Sequence, residues 1–127
     1  MSTADNGHVE RDDSSLKGVR VLVVEDAWHV AKALKSALER IGMDVSGPAP
    51  TIEAARQLVA EQMPAVAVVD VNLHGEMACR LIEELHDQGV RVIVTSGYAN
   101  PSVPAEKVAV FLQKPFSAAE LLGALRG

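Results

Sequence analysis

Ala65-Val66-Ala67-Val68-Val69-Asp70, an apolar run that ends on a carboxylate, decides how this chain reads. Five apolar residues without alternation, three of them Val, describe a strand buried on both faces rather than one with a wet side. A second run of the same kind, Val21-Leu22-Val23-Val24, ends on Glu25-Asp26. If the two are neighbouring parallel strands, their carboxyl-end loops open along one edge of the sheet, where open α/β sheets bind ligands. Three carboxylates then converge. Two unit charges about 4 Å apart interact by roughly 4 kcal/mol at an effective dielectric of about 20, so the cluster repels itself and needs a cation.

Outward from these strands the pattern alternates. Val30, Leu34, Ala37, Leu38 and Ile41 recur at helical spacing over Trp28 to Ile41, and Gly42 closes that helix. Met43 to Val45 reads as a short strand, Ser46-Gly47-Pro48-Ala49-Pro50 as a loop, and Thr51 as the N-cap of a helix to about Gln62. Pro64 opens the strand that ends at Asp70, and Asp70 to Gly75 is a loop. The helix after it buries Ala78, Leu81, Ile82 and Leu85 before Gly89 stops it. Arg91 to Thr95 and Val108 to Leu112 are the fourth and fifth strands, and Ser117-Ala118-Ala119-Glu120 is a capping-box signature that opens a last short helix. Between Gly97 and Lys107, Pro101 and Pro104 interrupt any helix, leaving a loop or one helical turn. The expectation is an α/β fold: a doubly wound five-stranded parallel sheet covered on both faces, its fourth helix shortened or absent.

With 127 residues, 48% of them apolar and 23% charged, the chain is long enough for one core without disulfides or a structural metal. No apolar stretch approaches the roughly 18 residues of a membrane span, and Met1 to Ser15 lacks the apolar segment of a signal peptide. The lone Cys79 has no internal partner, so a reducing, cytoplasmic setting away from membranes is expected. The net charge is −5, of which residues 1–16 hold −3. Those sixteen polar residues read as a mobile tail before a domain over 17–127. Without a basic stripe, nucleic acid is not an expected partner.

The order of motifs resembles a receiver domain, the phosphoacceptor module of two-component response regulators, over roughly Lys17 to Leu125. Five elements carry the resemblance: Glu25-Asp26 after the first strand, Asp70 after the third, Ser96 after the fourth, Phe111 within the fifth, and Lys114-Pro115-Phe116 after it. It implies a flavodoxin-like (β/α)5 fold with strand order 2-1-3-4-5. It also implies that Asp70 takes a phosphoryl group from a sensor histidine kinase or a histidine phosphotransfer protein and later loses it to water. Mg²⁺ would be held by Asp26, Asp70 and the backbone carbonyl of Asn72, with Glu25 acting through water, a set that suits a hard cation which keeps several waters. Lys114 would supply a second positive charge and pair with Asp70 beforehand, and Ser96, in preference to Thr95, would offer a hydroxyl to the phosphoryl group. Phe111 would be the aromatic that turns inward once that hydroxyl moves. Tyr98 and Pro115 would border the pocket, with Lys114-Pro115 cis.

The departures are in the loops. Val71-Asn72-Leu73-His74-Gly75 is short and lacks proline, and the segment after Ser96-Gly97-Tyr98 replaces much of a helix that usually carries output. Ser-Gly-Tyr with a reduced fourth helix resembles a group of stand-alone bacterial receivers. No attached output domain is expected, so signalling would pass through an unknown downstream protein. Two rival readings remain. A small Mg²⁺-dependent phosphohydrolase with an Asp nucleophile would carry a second Asp two residues on, where this chain has Asn72. A receiver-like binding module that works without phosphorylation would not need every charged group kept. Trp28 staples the first helix beside Asp26, His29 and His74 sit exposed, Cys79 is half-buried and Phe116 fills the core.

Overall fold

The computed structural model describes residues 15–73, 75–97 and 103–127. Within them the five strands of the main sheet, β1 (Arg20–Val24), β2 (Asp44–Ala49), β3 (Val66–Asp70), β4 (Arg91–Ser96) and β5 (Val110–Gln113), alternate with four helices, α1 (Trp28–Arg40), α2 (Ile52–Glu61), α3 (Cys79–Asp87) and α4 (Ala118–Arg126). The sheet is parallel and runs β2-β1-β3-β4-β5. That is the order implied by the resemblance. The two apolar runs are adjacent strands in register from Val21–Val66 to Val24–Val69. The tail assigned to residues 1–16 lies outside the described residues except for Ser15 and Leu16, and His74 and Tyr98 lie outside them too.

Alternation along each strand divides the core between two faces. Leu22, Val24, Ala67, Val69, Val92 and Val94 pack under α2 and α3, against Ile52, Ala55, Leu81, Ile82 and Leu85. Val21, Val23, Val66, Val68, Ile93 and Leu112 pack under α1 and α4, against Leu34, Leu38, Leu121 and Leu125. The helix ends follow local chemistry. Thr51 Oγ1 accepts from the Ala54 N–H at 3.1 Å, and Ser117 and Glu120 form the reciprocal capping box at 3.0 and 2.8 Å. No helix among the described residues is long and apolar enough to cross a membrane.

Three local expectations are corrected. Ser46 to Ala49, read as loop, belongs to β2. β2 is an edge strand whose ladder with β1 skips between Leu22 and Val24, and Gly47, at φ +97°, sits at that irregularity. A proline at an edge or bulge forfeits no ladder bond, which is why Pro48 does not end the strand. A Cβ on Gly47 would lie 2.8 Å from the Val23 carbonyl oxygen, so the close approach requires glycine. The Asp70–Gly75 loop contains Asn72–Leu73 paired antiparallel with Glu76–Met77. Val71 and Leu73 are both buried, an alternation that makes strand rather than loop. The fifth strand starts at Val110, not Val108, because Val108 turns with Val103 onto the α2–α3 core. Between β4 and β5 the described residues hold one 3₁₀ turn, Ala105–Lys107, in place of a fourth helix.

Candidate functional site

The carboxyl ends of β1, β3 and β5 bring four charged side chains together. Glu25 follows β1 and is 2% exposed, Asp70 ends β3 and is 7% exposed, and Asp26 is half-buried beside them. Carboxylate oxygens of all three lie within 4.8 Å of one another. The Lys114 ammonium reaches in from the end of β5, 2.9 Å from Glu25 Oε1 and 3.2 Å from Asp70 Oδ2. Backbone donors fix the rest. The Ala27 N–H donates to Glu25 Oε2 at 3.0 Å, and the Asn72 N–H donates to Asp70 Oδ1 at 3.3 Å. Asn72 in turn accepts from the Gly75 N–H at 2.9 Å, holding the ribbon over the site.

The electrostatics are those of an under-compensated acidic cluster. Burial pushes the Glu25 carboxyl up, against the pull of Lys114 and the Ala27 N–H. Burial works against the Lys114 ammonium, yet Glu25 and Asp70 outweigh it and hold its pKa above the ordinary lysine value. Three carboxylates against one ammonium leave formal negative charge in a partly desolvated site. An all-oxygen donor set of this kind fits a hard divalent cation such as Mg²⁺.

The remaining expected residues are placed as follows. Ser96 is buried at the end of β4, where its carbonyl accepts from the Lys114 N–H at 2.7 Å, tying β4 to the lysine. Phe111 pairs with Val94, two residues before Ser96, and is 43% exposed. Pro115 is exposed and its bond to Lys114 is cis. Trp28, expected to staple the first helix, opens α1 and is 66% exposed, edge-on to His29 and capped by Lys32 Nζ, one turn along the same helix, at 4.9 Å from the ring centre. His29 is exposed, Cys79 half-buried, and Phe116 packs against the α1–α4 core.

Two features escaped the sequence reading. The Ala27 N–H anchors Glu25, and a backbone donor leaves no mark in residue type. An open groove of about 640 Å³, walled by Val30, Ala33, Leu34, Ala37 and Leu121, runs between α1 and α4 and meets the site at Lys114. The small residues Ala33 and Ala37 on one helix face were its signal, visible only once α4 is known to lie opposite.

A family model described as response regulator receiver domain matches residues 21–126. DctD of Pseudomonas aeruginosa, a C4-dicarboxylate transport transcriptional regulatory protein, is 30% identical over 116 residues, covering 84% of this chain and 24% of DctD. The chain thus spans about a quarter of that regulator. The chemotaxis protein CheY of Thermotoga maritima is 26% identical over 114 residues, covering 85% of this chain and 95% of CheY. Among solved structures, a response regulator from Burkholderia pseudomallei, determined with a phosphorylated aspartic acid, calcium ion and citrate, matches with a TM-score of 0.75 and 27% identity over 84% of this chain and 66% of that one.

Proposed function

This chain belongs to the response regulator receiver domain family, and we propose that Asp70 is its phosphoacceptor, reversibly phosphorylated in the presence of Mg²⁺. The observation that carries the reading is the buried Asp70 carboxylate paired with Lys114 and crowded by Glu25 and Asp26. A carboxylate in that setting has its own charge compensated before a phosphoryl group, itself anionic, approaches. The phosphorylated aspartate and calcium ion of the Burkholderia pseudomallei relative support the assignment.

Asp26, Asp70 and the Asn72 carbonyl would hold the cation, with Glu25 through water. The bound cation supplies charge neutralisation at the phosphoryl oxygens. The chain's own groups do the rest. An Asp70 oxygen forms the new O–P bond while the P–N bond of a phosphohistidine donor breaks; the electron pair stays on that imidazole nitrogen, and the ring, already protonated at its other nitrogen, leaves neutral. Lys114 leaves Asp70 Oδ2 for a phosphoryl oxygen, and Ser96 donates its hydroxyl to another. Hydrolysis restores the resting charge: water adds at phosphorus, the bond to Asp70 breaks, inorganic phosphate leaves carrying the water's oxygen and protons, and the freed carboxylate returns to Lys114. Phe111 and Ser96 share a sheet face through the Phe111–Val94 pair, which supports a coupled movement of hydroxyl and ring as the output signal. The donor is a histidine kinase or phosphotransfer protein, received along the apolar groove that ends at Lys114, and the output goes to a protein partner.

Intact-mass spectrometry with a small phosphodonor tests the reading. One phosphoryl group is expected on the wild-type protein, none on Asp70→Asn, and none after divalent cations are chelated. Labelling that survives Asp70→Asn unchanged would overturn it.

A further inference from the structure

The strand that faces Asp70 reads Arg91-Val92-Ile93-Val94-Thr95-Ser96, and Thr95 is 1% exposed with a hydroxyl oxygen that has no hydrogen-bond partner. A valine has the same shape and would fit the run of β-branched residues without burying an unpaired polar group. Register says what the hydroxyl faces. Asp70 pairs with Thr95, and Thr95 with Leu112. Side chains of paired residues on parallel strands share a face, and Leu112 lies on the α1–α4 side. Glu25, one residue past the Val24–Val69 pair, falls on that same side. Glu25, Asp70 and Thr95 therefore stand in one row across the ends of β1, β3 and β4, at a strand spacing of about 4.8 Å. Lys114, two residues beyond Leu112, crosses the same row.

We propose that Thr95 is a positioning residue whose hydroxyl donates to the Asp70 carboxyl group once that group carries a phosphoryl. The inference rests on the phosphoacceptor role of Asp70. In the resting site Lys114 holds Asp70 Oδ2 and the Asn72 N–H holds Oδ1, and the Thr95 hydroxyl makes no hydrogen bond. When Lys114 transfers to a phosphoryl oxygen, the carboxyl group keeps the Asn72 N–H and its place beside the cation but gives up the Lys114 contact, and the lone pair set free is one the Thr95 hydroxyl can take. Thr95 is the hydroxyl beside it on that face. Ser96, one residue on, projects to the opposite face and serves the phosphoryl group and Phe111.

Beryllofluoride with Mg²⁺, a non-transferable phosphoryl mimic, gives an equilibrium test on the whole chain. Thr95→Val should melt at or above the wild-type temperature without ligand, because it removes an unpaired buried hydroxyl. It should bind beryllofluoride roughly five- to tenfold more weakly, the worth of one buried hydrogen bond. Thr95→Ser should lose some heat stability through its missing methyl yet keep wild-type affinity. Wild-type affinity in Thr95→Val, or a lower melting temperature of that variant without ligand, would overturn the inference. If the wild-type chain itself neither binds the mimic nor takes a phosphoryl group, the phosphoacceptor reading falls and the Thr95 role with it.

Discussion

The two faces of the sheet share their strands but put charge in opposite places. Under α2 and α3 the core holds no buried charge among the described residues, and ion pairs stay at the rim: Arg56 grips Glu84 through two bonds of 3.0 Å, each side chain 41% exposed. Under α1 and α4 the charges are inside, at Glu25, Asp70 and Lys114, and the helices leave an apolar groove beside them. Rim pairs are screened and worth little. Buried pairs rarely repay their desolvation, so apolar residues would serve a merely structural face better. The buried charge on one face is what the proposed phosphoryl transfer would need, and the other face shows the same fold with its charge kept outside.

The contrast is broken most forcefully at Lys114. Lys114→Ala leaves Glu25 and Asp70 facing each other with no ammonium. Removing one partner of a fully buried pair costs about 3–5 kcal/mol; with the lysine a quarter exposed, a loss of about 1–2 kcal/mol is expected after discounting for solvent. Urea unfolding at neutral pH measures it, and added Mg²⁺ should restore part of the loss. The sign with pH follows from the raised lysine pKa. The contribution is fully present below the ordinary value of 10.5 and disappears as pH rises through the higher folded value. An unchanged unfolding midpoint would mean that the three-way ion pair carries no weight.

A smaller effect, confined to one donor type, is expected in the groove. Ala33 is exposed on its α1 wall, so Ala33→Glu should fold normally and accept phosphoryl from a small donor at the wild-type rate. Transfer from a cognate protein donor should fall about tenfold, less than a fully buried unpaired charge would cost because the groove is open. Ala60→Glu, exposed on α2, is the matched control on the other face and should leave both rates alone.

How much of this was legible follows the same division. Strand runs ending on Glu25-Asp26 and Asp70 announced both the parallel sheet and the acidic edge, because a doubly buried strand writes continuous apolar residues and a terminal carboxylate stands out against them. The capping residues Thr51 and Ser117 were equally local. What was not legible depends on partners distant in sequence. Pro48 reads as a breaker until it is known to lie at an edge, and Val71 and Leu73 read as loop until the ribbon is seen to bury them. Thr95 is one more β-branched strand residue until register sets it against Asp70. The Arg56–Glu84 pair joins residues 28 apart, with no spacing rule to announce it.

That pair supplies the next prediction. Arg56→Ala should cost no more than about 1 kcal/mol, the range of exposed ion pairs, in the same urea assay. Phosphoryl labelling of Asp70 should not change. A loss as large as that of Lys114→Ala would erase the distinction between rim and interior charge.

The smallest effect belongs to the turn that stands where a fourth helix was reduced. Lys107 Nζ donates to Asp87 Oδ1 at 2.9 Å, clasping the Ala105–Lys107 turn to the end of α3 at the surface. Lys107 first, and His86 after it, hold the Asp87 carboxyl below the usual carboxylate range, while Asp87 raises the Lys107 ammonium. The clasp is therefore intact above pH 3.8 and lost only as pH falls through the lower folded value; at the basic end it is lost as pH rises through a value above 10.5. Both groups are solvent-exposed, so Asp87→Asn should leave global unfolding where it is. The turn's own bonds, Lys107 N–H to the Pro104 carbonyl and Val108 N–H to the Ala105 carbonyl, should exchange hydrogen about twofold faster or more, while the Val69 and Val94 amides stay protected. Equal protection of the turn in both proteins would show that Val103 and Val108, packed on the α2–α3 core, hold this segment without help from charge, and the apolar face would then need no ions even at its rim.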